Sequence, residues 1–192
     1  MTPVYRAALG SDFDRLHPNL QWRYGIDSTS GVAQIMTGLL ESVYVTPTLP
    51  PPVVWFYGKR NAIPSKTSRM LPFRAGNYCY RDELGRECLA VLRTFGYSSG
   101  DRGLNSVLVD GRDGFVDYLG DGPELLFPIE PKVTRAGELL LESGPARWLR
   151  GPKLAPRGPL VATMKYIEGW DEQHQRFRCD ATVRNPVLGE IM

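Results

Sequence analysis

Histidine and cysteine are scarce in this chain, with two histidines and three cysteines in 192 residues. His17 and His174 stand far apart, and Cys79, Cys88 and Cys179 show no CxxC or other ligand spacing. A His/Cys metal centre therefore has no ligand set, and no acidic cluster offers a carboxylate site, so no metal is expected. An odd cysteine count argues against a disulfide framework, and the thiols read as buried, inert small apolar groups. No apolar run approaches the ~20 residues of a membrane span, and Met1 to Leu16 holds no signal-peptide core. The chain reads as cytoplasmic with no membrane partner. An excess of charge of one sign is lacking too. Lys and Arg total 23 against 21 Asp and Glu, a formal net charge of +2, which disfavours nucleic acid held by a broad electrostatic footprint. GxGxxG opening a helix, GxxxxGK[ST], HExxH and GxSxG are all missing, so no cofactor is expected and hydrolase readings lose their handle.

What is present is the composition of an ordinary globular protein, 42% hydrophobic and 23% charged, and a single domain over residues 1–192 is expected. Thr2 and Pro3 start a short helix that Gly10 ends. Ser11 and Asp14 resemble a capping box for a second turn, in which Phe13, Leu16 and Leu20 share a face until Pro18 disturbs it. Gly31 to Gly38 reads as a buried strand, and Leu39 to Val45 is ambiguous between helix and strand. Residues 1–46 thus form a helical head. Pro47, Pro50, Pro51 and Pro52 make 47–52 an extended connector, and a linker inside one domain is preferred there to a partner-binding proline motif.

Residues 53–192 form a strand-rich body. Val53 to Tyr57 is an aromatic, β-branched run, and Tyr78 and Tyr80 lead into a turn at Asp82 to Gly85. Strands follow at Glu87 to Phe95, Ser106 to Val109, Phe115 to Leu119 and Glu124 to Phe127, separated by turns at Asp110 to Gly114 and Gly120 to Gly122. Glu138 to Glu142 adds another. Leu160 to Glu168 and Arg176 to Arg184 form the clearest hairpin, with Phe177, Cys179, Ala181 and Val183 alternating against polar neighbours. The fold class predicted is mostly β: an antiparallel curled sheet forming a barrel or half-barrel, with short N-terminal helices. Such a barrel either encloses one small molecule or fills solidly with side chains.

Several residues depart from this pattern. Both faces of Glu87 to Phe95 are apolar, which predicts a strand covered on both sides with Arg93 among Leu89, Val91 and Phe95. Its guanidinium either snorkels to water, meets a buried carboxylate, or faces a ligand. Glu168 closes the apolar face of Leu160, Ala162, Met164 and Tyr166, and is the natural partner for Arg93 or else an acid/base group. The aromatics Trp55, Tyr57, Tyr78, Tyr80 and Tyr166 are candidate cavity linings with hydroxyls for hydrogen bonds, although plain core is their commoner role. His17, before Pro18, reads as a capping or packing residue because no orienting carboxylate lies nearby in sequence.

Gly151-Pro152-Lys153-Leu154-Ala155-Pro156, Glu168, Arg176-Phe177-Arg178-Cys179 and Asn185-Pro186-Val187-Leu188-Gly189, with Tyr5-Arg6, Leu9-Gly10, Phe13, Leu16 and His17 at the start, carry a resemblance. Together with Leu92-Arg93-Thr94-Phe95-Gly96 they resemble the bacterial family known only as domain of unknown function 4166. The family usually places Trp where this chain has Val91, and its pattern continues past Gly189 with Tyr and Gly residues. The resemblance implies a shared fold and a soluble bacterial protein, and it carries over no catalytic residue.

The function expected from these features is a pocket for a small hydrophobic metabolite, in a cofactor-independent cyclase or isomerase of a biosynthetic pathway. In that reading Arg93, Tyr78 or Tyr80 polarises a carbonyl, and Glu168 moves a proton. The alternative is a non-catalytic module binding a lipid-like ligand or a protein partner. A weaker third reading, single-stranded nucleic acid on Arg176, Arg178 and Arg184, is interrupted by Asp180.

Overall fold

The computed structural model describes residues 1–111, 114–122, 125–149 and 161–192. The expected turn positions 112 and 113, Glu124, Leu160 and the Gly151 to Pro156 motif lie outside them. The chain opens with helix α1 (Val4–Leu9), which ends at Gly10 with φ 57°, a left-handed turn that glycine adopts without strain. A 3-10 turn over Gly10–Arg15 follows without a side-chain cap, so the capping box expected at Ser11 does not form. Pro18 begins helix α2 (Pro18–Tyr24) rather than disturbing one, because its missing N–H has no helical partner at that position. His17 caps this helix, its Nδ1 accepting the Asn19 backbone N–H at 3.2 Å.

Among the described residues eleven strands follow: β1 (Gln34–Val43), β2 (Ser68–Arg81), β3 (Glu87–Tyr97), β4 (Gly100–Gly111), β5 (Gly114–Leu119), β6 (Leu125–Val133), β7 (Leu139–Ser143), β8 (Arg147–Trp148), β9 (Thr163–Asp171), β10 (Arg176–Asn185) and β11 (Gly189–Glu190). They form one antiparallel sheet in the order β1-β2-β3-β4-β5-β6-β7-β9-β10-β11, with β8 beside β6. The protein is mostly β, and the sheet curls into a half-barrel. Neighbouring strands follow one another in the chain almost throughout, so turns rather than crossovers set the order. The end of β1 approaches the end of β11, where the Thr46 N–H donates to the Ile191 carbonyl at 3.1 Å.

Two expectations from the sequence are corrected. Val53 to Tyr57 is not a strand but the body of helix α3 (Pro51–Gly58), with Pro50 as its N-cap. Prolines that deny an extended connector its donors also preset the helical φ in a first turn, so 47–52 leads into a helix. Nor is the strand expected at Gly31 to Gly38 buried: it is the start of β1, along which most residues are exposed, Ile35 among them.

The N-terminal helices fill the concave side of the sheet. Val4 and Tyr5 of α1, Phe13 of the 3-10 turn, and Leu20 and Tyr24 of α2 pack with Leu89, Val91, Leu108, Phe115, Phe127, Ile129, Leu139 and Leu141. A second apolar cluster, Leu71, Phe95 and Tyr97, occupies the other end of the same face. On β3 the inward residues Leu89, Val91 and Phe95 are buried, but Leu92 on the outer face is 45% exposed. Coverage of both faces is therefore limited to the Cys88 end. The buried-thiol reading holds for Cys88, whereas Cys79 is half-buried and Cys179 exposed. Among the described residues no helix is long and apolar enough to cross a membrane.

Leu20 has no exposed surface, while Leu39 on β1 is 53% exposed. Leu20→Ala is expected to cost about 2–5 kcal/mol through lost burial and a residual cavity, and Leu39→Ala about 0.5 kcal/mol or less. Urea unfolding of the two variants checks the difference.

Candidate functional site

Period 2 places every other residue of a strand on the concave face, and along most strands those residues are apolar. The exceptions gather. Gln34, Asn77, Val91 and Ser106 are directly paired across β1, β2, β3 and β4, so three polar side chains share one row of the concave face. Asp117 pairs with Leu108 in the next row, and Arg93 pairs with Ala75 and Leu104 in the row on the other side. All except Arg93 are buried: Gln34 8%, Asn77 1%, Ser106 1% and Asp117 4% exposed. Arg93 is half-buried, between the two apolar clusters.

The guanidinium of Arg93 donates from Nη1 to Ser106 Oγ at 3.2 Å and to the Leu104 carbonyl at 3.4 Å. Burial pushes the Asp117 carboxyl up to about 6, against the opposing pull of the Arg93 charge and the Ser106 hydroxyl. Several atoms in this belt make no hydrogen bond among the described residues: both the nitrogen and the oxygen of the Asn77 amide, Gln34 Oε1 and Asp117 Oδ1. A buried amide without partners costs roughly 1–3 kcal/mol, so orphans on one face mark a place suited to a polar guest.

A second polar group adjoins it. Glu168, 1% exposed, faces not Arg93 but Arg23 of α2, whose Nε lies 3.0 Å from Oε1 at an angle that forms no hydrogen bond. The hydroxyls of Tyr24 and Tyr166 both donate to Glu168 Oε2. Burial first, and then the Glu168 charge, hold Tyr24 and Tyr166 protonated far above the ordinary tyrosine range. Tyr5 is likewise raised by burial and by the charges of Asp117 and Glu168, and its ring lies 4.3 Å from that of Tyr24. The predicted Arg93–Glu168 pair is thus replaced by two separate arrangements, Arg93 near Asp117 and Arg23 against Glu168, whose charges both act on Tyr5. Sequence distance hid the second, since Arg23 and Glu168 lie on a short helix and a strand near opposite ends of the chain.

Of the predicted lining residues, only Tyr166 shares the concave face with Arg93 and Glu168. Tyr78 and Tyr80 are on the convex face, 38% and 42% exposed, because they alternate with Asn77 and Cys79 along β2. The Tyr78 ring lies across Gly76, where a Cβ would come within 2.6 Å of it, so the ring covers bare backbone. Trp55, 61% exposed, and Tyr57, half-buried, belong to α3 rather than to the sheet. His17 does have a carboxylate, Glu172, with Nε2 and Oε1 2.9 Å apart, which the sequence separation concealed. Arg176 and Arg178 lie beside Asp171 and Glu138 at 3.8 and 3.5 Å, which further weakens the nucleic-acid reading. Among the described residues no group of three or more His, Cys, Asp or Glu could hold a metal.

Reasoning from sequence missed Asn77, Ser106 and Asp117. The signal was available: Phe115, Asp117 and Leu119, like Ala75, Asn77 and Cys79, are period-2 runs in which one polar residue interrupts an inward apolar series.

The fold and site define a curled antiparallel half-barrel whose concave face carries a buried polar belt. The chain belongs to the family described as Domain of unknown function (DUF4166), whose pattern matches residues 16–192. No curated protein and no solved structure matches it.

Removing one member of a buried ion pair strands the other. Arg23→Met is expected to cost about 3–5 kcal/mol, and Arg23→Met combined with Glu168→Gln clearly less than the sum of the two single changes. A double-mutant cycle in urea measures that coupling. Asp117 titrates in the opposite sense from a salt-bridged carboxylate. The folded state holds its proton more tightly than the unfolded chain, so this group's contribution to stability falls as pH rises from about 4 to about 6 and is constant above. Between pH 4 and pH 7 the wild type is expected to lose up to about 3 kcal/mol relative to Asp117→Asn, measured by denaturation across that range.

Proposed function

We propose that the concave face binds a small hydrophobic molecule by a polar end such as a carbonyl, and isomerises it by proton transfer without a cofactor. The observation that carries this reading is Asn77, 1% exposed with an amide that has no hydrogen-bond partner among the described residues, in the same belt as Arg93, Ser106 and Asp117. The apolar body of the guest packs against Phe73 and Leu104, which border the second cluster, and the carbonyl oxygen takes hydrogen bonds from Arg93 and the Asn77 Nδ2. A guanidinium held there stabilises the oxyanion formed when the neighbouring carbon loses a proton. Asp117 is suited to take and return that proton, since a carboxyl titrating near 6 is a better base at neutral pH than one near 4. The same proton leaves one carbon and arrives at another, so the product is an isomer and the enzyme is restored.

In this reading the guest is confined to the belt, because α1, the 3-10 turn and α2 pack into the rest of the concavity. Glu168 has a different place in this reading from the proton shuttle first expected of it. Its Oε2 accepts from two tyrosines and its Oε1 faces Arg23, so it positions helix α2. That engagement favours binding without chemistry as the second reading.

Titration with 2-octanone in D2O tests both. The wild type is expected to bind the ketone and exchange its α-protons for deuterium, seen by NMR. Arg93→Met is expected to weaken binding about tenfold or more, and Asp117→Asn to bind while exchange falls at least a hundredfold. Binding with no exchange selects the non-catalytic module. Equal binding by wild type and Arg93→Met removes the site.

A further inference from the structure

A second concavity lies away from the polar belt, between α3, the chain that follows β1 and the residues leading into β2. It is a groove of about 580 Å³ lined by Leu49, Val54 and Trp55 among its apolar residues, and by Lys59, Lys66 and Arg102. Among the described residues no aspartate or glutamate lines it. Among the described residues none of the three cations makes an ion pair. Lys59 Nζ rests 4.4 Å from the centre of the Trp55 ring, Lys66 Nζ donates to Ser99 Oγ at 3.2 Å, and Arg102 Nη1 donates to the Asp101 carbonyl at 3.0 Å. Each is engaged only by neutral groups and retains donors for an anion.

The chain carries nearly balanced charge, 23 basic against 21 acidic residues, so unpaired cations gathered around one groove are not a consequence of overall composition. Their elements differ as well: Lys59 caps α3, Lys66 precedes β2 and Arg102 belongs to β4. We propose that this groove binds a soluble phosphomonoester carried on an apolar body, the dianion among Lys59, Lys66 and Arg102 and the body against Trp55 and Val54. A dianion suits more than one cation better than a single carboxylate does, and Arg and Lys both serve as phosphate donors. The volume lies in the range of small-molecule sites. Trp55, exposed and without a role in the core, gives the body a flat apolar surface.

Calorimetric titration of the full chain with octyl phosphate at low salt tests this. Octyl phosphate is expected to bind at least about tenfold more tightly than octanol or inorganic phosphate, to weaken as salt rises, and to lose about tenfold in affinity in Lys59→Gln combined with Lys66→Gln. Trp55→Ala weakens it too, while Arg93→Met, at the separate polar belt, leaves it unchanged. No binding, equal binding of octanol, or indifference to the lysine changes overturns the proposal. So does association with vesicles containing phosphatidic acid in the absence of octyl phosphate binding, which makes the groove a membrane contact instead.

Discussion

The contact between Arg23 and Glu168 governs the arrangement of the molecule. Arg23 projects from a helix of only seven residues, far too short to persist alone, and its guanidinium reaches toward both ends of the sheet. It donates to Met36 Sδ on β1, meets Glu168 on β9 at 3.0 Å and stacks over Phe177 of β10 at 4.9 Å. The first strand and the ninth and tenth are therefore joined through one side chain rather than through a strand pairing. A charge so placed is tolerable only with its counter-charge, and the counter-charge is held in turn by Tyr24 and Tyr166. The helix, the curl of the sheet and the buried acid require one another.

That dependence explains how the concave face is divided. With α1 and α2 fixed over the half bearing Leu89 and Leu108, the large apolar cluster forms beneath them. The smaller cluster of Leu71, Phe95 and Tyr97 forms at the other end. Arg93 stands between Val91 of the first and Phe95 of the second on the same strand. A continuous apolar core would run straight through that position, and the interruption gives the face a polar belt instead of a uniform interior.

Much of the sheet was legible in the sequence because a half-buried antiparallel strand writes its orientation in alternate residues. Phe177, Cys179, Ala181 and Val183 announced β10, although Cys179 and Ala181 are exposed on it, and Glu87 to Phe95 fell within β3. The failures have physical causes. Val53 to Tyr57 has strand-forming residues, but Pro51 and Pro52 impose the first turn of a helix, and local backbone geometry outranks side-chain preference there. Arg93 stands out in the sequence among apolar neighbours, yet its surroundings were not legible. Which acid stands near it depends on register between β4 and β5, and which acid stands away from it depends on a helix folding back over the sheet. The tyrosines show the same limit: period 2 sets Tyr78 and Tyr80 apart from Asn77, but only the curl says which of the two faces is the interior.

The belt is expensive for a fold that could do without it. Asn77, Ser106 and Asp117 occupy positions where Leu or Val would add burial, and Asp117 is ionised at neutral pH only against the resistance of its surroundings. An apolar replacement of similar size is often neutral or stabilising at such places. Glu168 differs, because Arg23 meets its charge and its Oε2 accepts from Tyr24 and Tyr166, which ties it to α2. The two sets of buried polar groups thus separate by what they do for the fold: Glu168 ties α2 to β9, while in the belt Gln34 donates to the Trp22 carbonyl and Ser106 accepts from Arg93, but the Asn77 amide and Asp117 Oδ1 have no hydrogen-bond partner among the described residues. Cost without structural return is what distinguishes a site from a scaffold, and it points to the belt rather than to the more conspicuous ion pair.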